Sequence, residues 1–148
     1  MTPTFRLQKV LAMKEKEKEK ALGEYEEAVR RFEQAAETLY RLLKEKEECA
    51  AARDEQLQAG LSVGDIRLRL QYMANLERMI DHYQLVVMQA REQMQRRQQR
   101  LMELNIEVKK YEKMRERMKR WAEQLEREAE RRLLDEMAVQ RFARQGEV

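Results

Sequence analysis

Between Gly64 and Gly146 the sequence contains neither glycine nor proline, and the only proline among the 148 residues is Pro3. These are the two residue types that most readily interrupt a helix. The one place where helix-ending residues cluster is residues 59–65, with the sequence AGLSVGD. We therefore expect two long helices joined by a single turn.

Apolar residues on both sides of this break recur at alternating spacings of four and three, the heptad pattern of coiled coils. Before the break, the core positions of one unbroken frame are Leu7, Leu11, Lys14, Lys18, Ala21, Tyr25, Ala28, Phe32, Ala35, Leu39, Leu42, Lys46 and Cys49. After the break, they are Ile66, Arg69, Met73, Leu76, Ile80, Tyr83, Val87, Ala90, Met94, Arg97, Leu101, Leu104, Val108, Tyr111, Arg115, Met118, Ala122, Leu125, Ala129 and Arg132. A frame of this length indicates a coiled coil.

The residues of the break have the chemistry of a helix end followed by a helix start. Gly60 is suited to the left-handed conformation that ends a helix, and Ser62 is suited to cap the next one, with Asp65 three residues later. We predict an all-α fold: a two-helix antiparallel coiled-coil hairpin with a longer C-terminal helix, forming one domain over residues 1–148. Helix one covers about 4–58, the turn about 59–64 and helix two about 65–143.

A hairpin that turns at Gly60 fixes which residues face each other. It places Phe5 near Glu116, Lys14 near Glu107 and Lys18 near Glu103. We interpret the two lysines at core positions as a zone that sets the register, although local fraying of the helix is the alternative. Residues beyond about Met118 have no counterpart in helix one, so we expect a single-helix tail.

Chemically reactive residues are scarce, which argues against catalysis. The only histidine is His82 and the only cysteine is Cys49, so neither a triad nor a zinc site is expected, and an intrachain disulfide is impossible. The sequence has no glycine-rich phosphate loop, no apolar stretch long enough to cross a membrane and no secretory signal. We therefore expect a cytoplasmic, non-enzymatic protein without cofactor or metal.

Charge is high but nearly balanced, with 40% charged residues and a net charge of +3. Residues 89–120 are the exception, because they carry 11 basic and five acidic side chains. A solvated helix surface is one explanation and nucleic-acid binding is another. The arginines are spread around the helix and glutamates interrupt them, so we do not favour nucleic acid.

Additional apolar residues flank the core positions in both helices. They are Leu22, Val29, Ala36, Leu43, Ala50 and Leu57 in helix one, with Tyr72, Met79 and Val86 in helix two. Contiguous exposed apolar surface indicates a partner site. A wider core and a self-association face are the alternatives.

Three stretches of the sequence resemble one known family. They are Phe5-Arg6-Leu7-Gln8-Lys9-Val10-Leu11, then Leu76-Glu77-Arg78-Met79-Ile80, and the tail from Trp121 to Phe142 with its Asp135-Glu136-Met137-Ala138. With the chain length, the position of the turn and the overhanging tail, they are similar to the flagellar type III export protein FliJ over essentially the whole chain.

The resemblance implies a component of bacterial flagellum biogenesis and motility, peripheral to the inner face of the cell membrane at the flagellar base. The hairpin of that family resembles the central stalk of rotary ATPases, and its free-termini end enters the ring of the hexameric export ATPase. Carried over to this sequence, the ATPase-ring contact is expected at Phe5, Leu7, Leu11, Met118, Trp121, Leu125, Arg132 and Phe142.

A second contact implied by the resemblance is with the cytoplasmic domain of the export gate membrane protein, and export chaperones are further partners. The export-gate contact is expected at Leu39, Leu42, Tyr72, Leu76, Met79 and Tyr83. Neither nucleic-acid binding nor membrane insertion is implied. Two alternatives stay open: the equivalent stalk of a virulence type III secretion system, and a generic coiled-coil scaffold that joins helices of two chains.

Overall fold

The computed structural model describes residues 6–146. It contains two helices, α1 (Gln8–Ala59, 52 residues) and α2 (Val63–Gly146, 84 residues), which pack against each other. The predicted all-α fold with a longer second helix is confirmed. Compared with the expected spans, α1 ends one residue later and α2 ends three residues later. α2 also begins two residues earlier, because Gly64 lies inside its first turn.

The turn between the helices follows the predicted chemistry. Gly60 has a φ of 80°, and no non-glycine residue in the described part of the chain has a positive φ. The Oγ atom of Ser62 accepts a hydrogen bond from the Asp65 N–H at 3.3 Å. The Ser62 carbonyl accepts one from the Ile66 N–H at 3.1 Å. Ser62 is therefore the N-cap of α2, and Asp65 adds a favourable negative charge in the first turn.

The described chain divides into two compact units, one of which is Glu19–Met102. Leu42, Leu76 and Ile80 form its hydrophobic cluster, against which Leu39 and Tyr83 pack. Further along α1, the buried core residues are the alanines at positions 21, 28 and 35. These three short side chains recur every seven residues, at core positions of the predicted heptad frame.

The other unit joins the chain up to Lys18 to the chain from Glu103 onward. Its fully buried side chains are Leu11, Leu104 and Val108. The Nζ atom of Lys14 lies 2.9 Å from Oε2 of Glu107, so the pair expected from the hairpin register is present.

The heptad frame predicts burial well, with identifiable exceptions. From Leu11 to Cys49 and from Ile66 to Ala122, every core position is buried or half-buried except Arg97 and Arg115. Arg97 is exposed because its long side chain carries the guanidinium out to Glu24, at 2.8 Å, instead of into the seam. The predicted core positions at the two ends are also exposed, namely Leu7, Leu125, Ala129 and Arg132. The last three lie in the tail, where α1 supplies no packing partner.

Candidate partner-binding surfaces

The C-terminal part of α2 is the most distinctive exposed surface. Every residue from Glu123 to Gly146, where the described chain ends, is exposed. Met118 and Ala122 are still half-buried, so packing ends four residues later than predicted. We call residues 123–146 the tail. The packed part of α2 already provides the helix nucleus, which is the unfavourable step in helix formation. The tail therefore only has to extend an existing helix.

Large apolar side chains are frequent in the tail and next to it. The exposed ones are Trp121, Leu125, Leu133, Leu134, Met137, Val139 and Phe142, with Trp121 at 59% and Phe142 at 80% exposure. Scattered exposed leucines are ordinary on a protein surface, whereas a run of this density on one helix indicates an interaction surface.

The residues expected to contact an ATPase ring fall into three groups. Trp121, Leu125, Arg132 and Phe142 are exposed and accessible to a partner. Leu7 is at the border of exposure, Met118 is half-buried, and Leu11 is completely buried between the helices. Phe5 lies outside the described residues. Leu11 therefore supports the packing beneath any ring contact, and the contact itself stays a prediction.

The residues expected to contact the export gate are also divided by burial. Leu42 and Leu76 belong to the hydrophobic cluster, with Leu76 only 3% exposed, and Leu39 and Tyr83 pack against that cluster. Only Tyr72 and Met79 present large exposed side chains. A partner at this surface would contact Tyr72 and Met79 directly, while the four others hold these two in place.

Tyr72 has a partner that sequence reasoning missed. Its hydroxyl donates a hydrogen bond to Oε1 of Glu45 across the two helices. One turn further along α2, the Nζ atom of Lys46 lies 3.8 Å from Glu77. The hairpin register sets Tyr72 opposite Cys49 and Glu77 opposite Lys44. Facing positions alone therefore do not identify either pair, although each partner lies within about one helical turn of the facing position. The aromatic ring of Tyr72 is thus oriented by a polar anchor.

Most of the flanking apolar residues lie outside the core. Those that are exposed are Leu22, Leu43, Ala50, Leu57, Tyr72 and Met79, whereas Val29, Ala36 and Val86 are half-buried and widen the core locally. Four further exposed apolar residues of the tail lie outside the predicted ring contact, namely Leu133, Leu134, Met137 and Val139. Val139 continues the heptad frame seven residues after Arg132, whereas the other three lie off that frame. The high density of apolar residues in the tail is the sequence signal that identifies them.

Electrostatics in the described residues are those of a solvated helical surface. The hydrogen bond that Lys14 donates to Glu107 raises the pKa of Lys14 above the ordinary value of 10.5. His82 is exposed and its ring meets that of Tyr83 edge-on at 5.5 Å. In the part of the chain that the structure describes, no group of histidine, cysteine or acidic residues is arranged to hold a metal ion. Within the same residues, no helix is apolar enough over a sufficient length to span a bilayer.

This geometry defines the class of the molecule: a two-helix coiled-coil protein whose prominent features are exposed helical surfaces. The chain belongs to the flagellar FliJ protein family, whose sequence pattern matches residues 3–147. The flagellar FliJ protein of Bacillus subtilis (strain 168) is 40% identical over 146 residues, covering 99% of each chain. No solved structure gives a significant match.

Family membership settles the coarse function. The chain is a non-enzymatic component of the flagellar export apparatus. The full-length likeness to a flagellar protein favours the flagellar assignment over the equivalent protein of a virulence secretion system.

Proposed function

We propose that this chain is a stalk-like coupling subunit that links two partners at the flagellar base. Its α2 tail binds the ring of the hexameric export ATPase. The exposed surface around Tyr72 and Met79 binds the cytoplasmic domain of the export gate membrane protein. In this role the protein is cytoplasmic and peripheral to the inner face of the cell membrane, and export chaperones are additional partners.

The observation that carries the proposal is the exposed apolar tail. An amphipathic helix with no partner inside its own chain gains free energy by laying its apolar side chains into a groove on another protein. Hydrophobic side chains that become buried contribute roughly 1.5–3 kcal/mol each. Leu133 and Met137 are four residues apart and lie on one face of the helix, so one partner surface can cover both.

Coupling requires more than two simultaneous contacts. A subunit changes the working cycle of a ring only if it binds the alternative states of the ring with different affinities. A single helix inside a symmetric hexamer makes the six subunits inequivalent. In this proposal the helix binds one state of the ring subunits more tightly than the others, and the resulting shift in their populations stimulates ATP turnover.

Truncation after Ala122 is the direct test. Deletion of residues 123–148 removes the tail while Met118 and Ala122, which are half-buried, stay in place. We expect this variant to keep its helical circular dichroism and its thermal transition but to lose stimulation of the purified export ATPase. Undiminished stimulation by a folded truncated chain would exclude the tail as the ring contact.

Point substitutions separate apolar contact from loss of chain length. The double variant Leu133→Gln with Met137→Gln removes two exposed apolar side chains from one face of the helix. The matched control, Glu130→Gln with Arg141→Gln, changes two exposed charged residues in the same part of the helix. Two central contacts of about 1 kcal/mol each correspond to roughly thirtyfold weaker binding of the apolar variant. Equal affinities for the two variants would contradict an apolar contact.

A scaffold that pairs helices of two chains is the second candidate, and the exposed heptad positions Leu125 and Ala129 are the observation that favours it. Light scattering distinguishes the candidates, since a monomer has a mass of 18.0 kDa and a paired chain has twice that mass.

A further inference from the structure

The ends of the two helices next to the turn enclose an apolar groove within the Glu19–Met102 unit. Its volume is about 430 Å³, a size typical of sites for small ligands or a few peptide side chains. Leu57 from α1, Leu61 from the turn, and Ile66, Leu70 and Met73 from α2 provide most of its lining. Leu57 and Leu70 are about half exposed, so a large part of this apolar lining faces water.

The charged side chains that line the groove are both arginines, Arg53 from α1 and Arg69 from α2. Neither forms an ion pair with any carboxylate in residues 6–146. An unpaired guanidinium at the edge of an apolar surface matches a carboxylate in both charge and geometry. The groove therefore favours a ligand with a negative charge beside an apolar body.

We propose that this groove binds an apolar peptide segment of a partner protein, with acidic residues against Arg53 and Arg69. A fatty acid carries a single carboxylate at one end of its chain. A peptide can place separate acidic side chains against the two arginines, which come from different helices. The site goes beyond the proposed function, because the tail and Met79 lie outside it. Tyr72, one of the two exposed residues of the export-gate surface, is shared.

Cys49 provides a readout confined to this site. It lines the groove as a half-buried free thiol and is the only cysteine in the sequence. The rate at which neutral iodoacetamide alkylates the full-length protein therefore reports whether the groove is occupied. The probe is a synthetic amphipathic peptide of about 15 leucine and glutamate residues in a helical pattern. The control peptide has lysine in place of every glutamate.

We expect the acidic peptide to slow alkylation of Cys49 about fivefold when it fills four-fifths of the grooves, by mass action. The basic peptide should leave the rate unchanged. In the variant Arg53→Gln with Arg69→Gln, protection by the acidic peptide should disappear. The matched control, Arg67→Gln with Arg78→Gln, alters two exposed arginines outside the groove lining and should keep it. Circular dichroism checks that both variants remain helical.

Several outcomes would overturn the proposal. Equal protection by acidic and basic peptides, or undiminished protection in the Arg53/Arg69 variant, would remove the charge selectivity. Protection by laurate alone would identify a lipid-like ligand. Slow alkylation without any peptide, together with a doubled mass in light scattering, would show a second copy in the groove. None of these results bears on ATPase stimulation by the tail, so failure here is distinguishable from failure of the proposed function.

Discussion

Two stretches of α2 have the same heptad pattern but differ in how deeply their heptad positions are buried. From Ile66 to Ala122, almost every heptad position is buried or half-buried against α1, whereas from Glu123 to Gly146 every residue is exposed. Leucine and alanine occupy core positions in both stretches. The difference is the presence of a facing helix, since α1 has 52 residues and α2 has 84.

This contrast shows that a heptad pattern specifies the capacity to pack and leaves the partner open. In the packed stretch the partner is in the same chain, so the pattern contributes to folding. In the tail, no other described part of the chain packs against the heptad positions, so they are available to bind a partner protein. Stability and binding should therefore respond to substitutions in opposite stretches of one helix.

The largest expected contrast comes from truncating a leucine in each stretch. Leu76→Ala removes a side chain that is 3% exposed within the hydrophobic cluster and should lower the free energy of unfolding by about 2–5 kcal/mol. Leu133→Ala removes a side chain that is 55% exposed and should change it by less than about 0.5 kcal/mol. Urea denaturation measures both. Similar losses would mean that the tail is packed in solution.

The turn should matter only for the packed stretch. Gly60 has a φ of 80°, so Gly60→Ala forces a side chain into the left-handed region and should cost about 1–2 kcal/mol. Gly23 lies inside α1 with open space around it, so Gly23→Ala should stabilise the protein by up to about 1 kcal/mol. Thermal unfolding gives both signs. A stabilising Gly60→Ala would contradict the described turn.

The cap of α2 should contribute a smaller amount. Ser62→Ala removes the acceptor for the Asp65 N–H and should lower the free energy of unfolding by about 1 kcal/mol. Ser62→Asp keeps an acceptor and serves as the control. Equal destabilisation by both substitutions would show that the hydroxyl acts in some other way than capping.

The smallest effect is the pH dependence of the Lys14–Glu107 pair. Since the pKa of Lys14 is raised in the folded chain, its contribution to stability is complete below 10.5 and is lost as the pH rises through the folded value. Lys14→Gln should flatten the decline of stability above pH 10. A decline of the same size in both proteins would assign it to other lysines and tyrosines.

The parts of the fold that depend on local chemistry and on heptad periodicity could be predicted from the sequence. Gly60, the Ser62 cap and the Lys14–Glu107 pair each follow from residue type and register. Sequence reasoning was wrong about the burial of Arg97, because a long cationic side chain can occupy a core position and still reach water. It placed Leu42 and Leu76 on a contact surface, although the structure places both in the hydrophobic cluster.

The groove beside the turn was beyond sequence reasoning for another physical reason. Its volume depends on how two helix ends diverge and on where Arg53 and Arg69 extend, which no spacing rule specifies. The tail was easier, because helix lengths alone show that it has no counterpart in the chain. Once the packing between the helices is known to end at Ala122, the exposure of each tail residue follows.

Hydrogen exchange of backbone amides tests the central claim most directly, by comparing residues 66–122 with residues 123–146 in the same molecule. Exchange should be slow in the first stretch and fast in the second when the protein is alone. After the hexameric export ATPase is added, exchange in the tail should slow severalfold while the packed stretch changes little. A tail already protected in the free protein, or one that the ATPase leaves unchanged, would contradict the account.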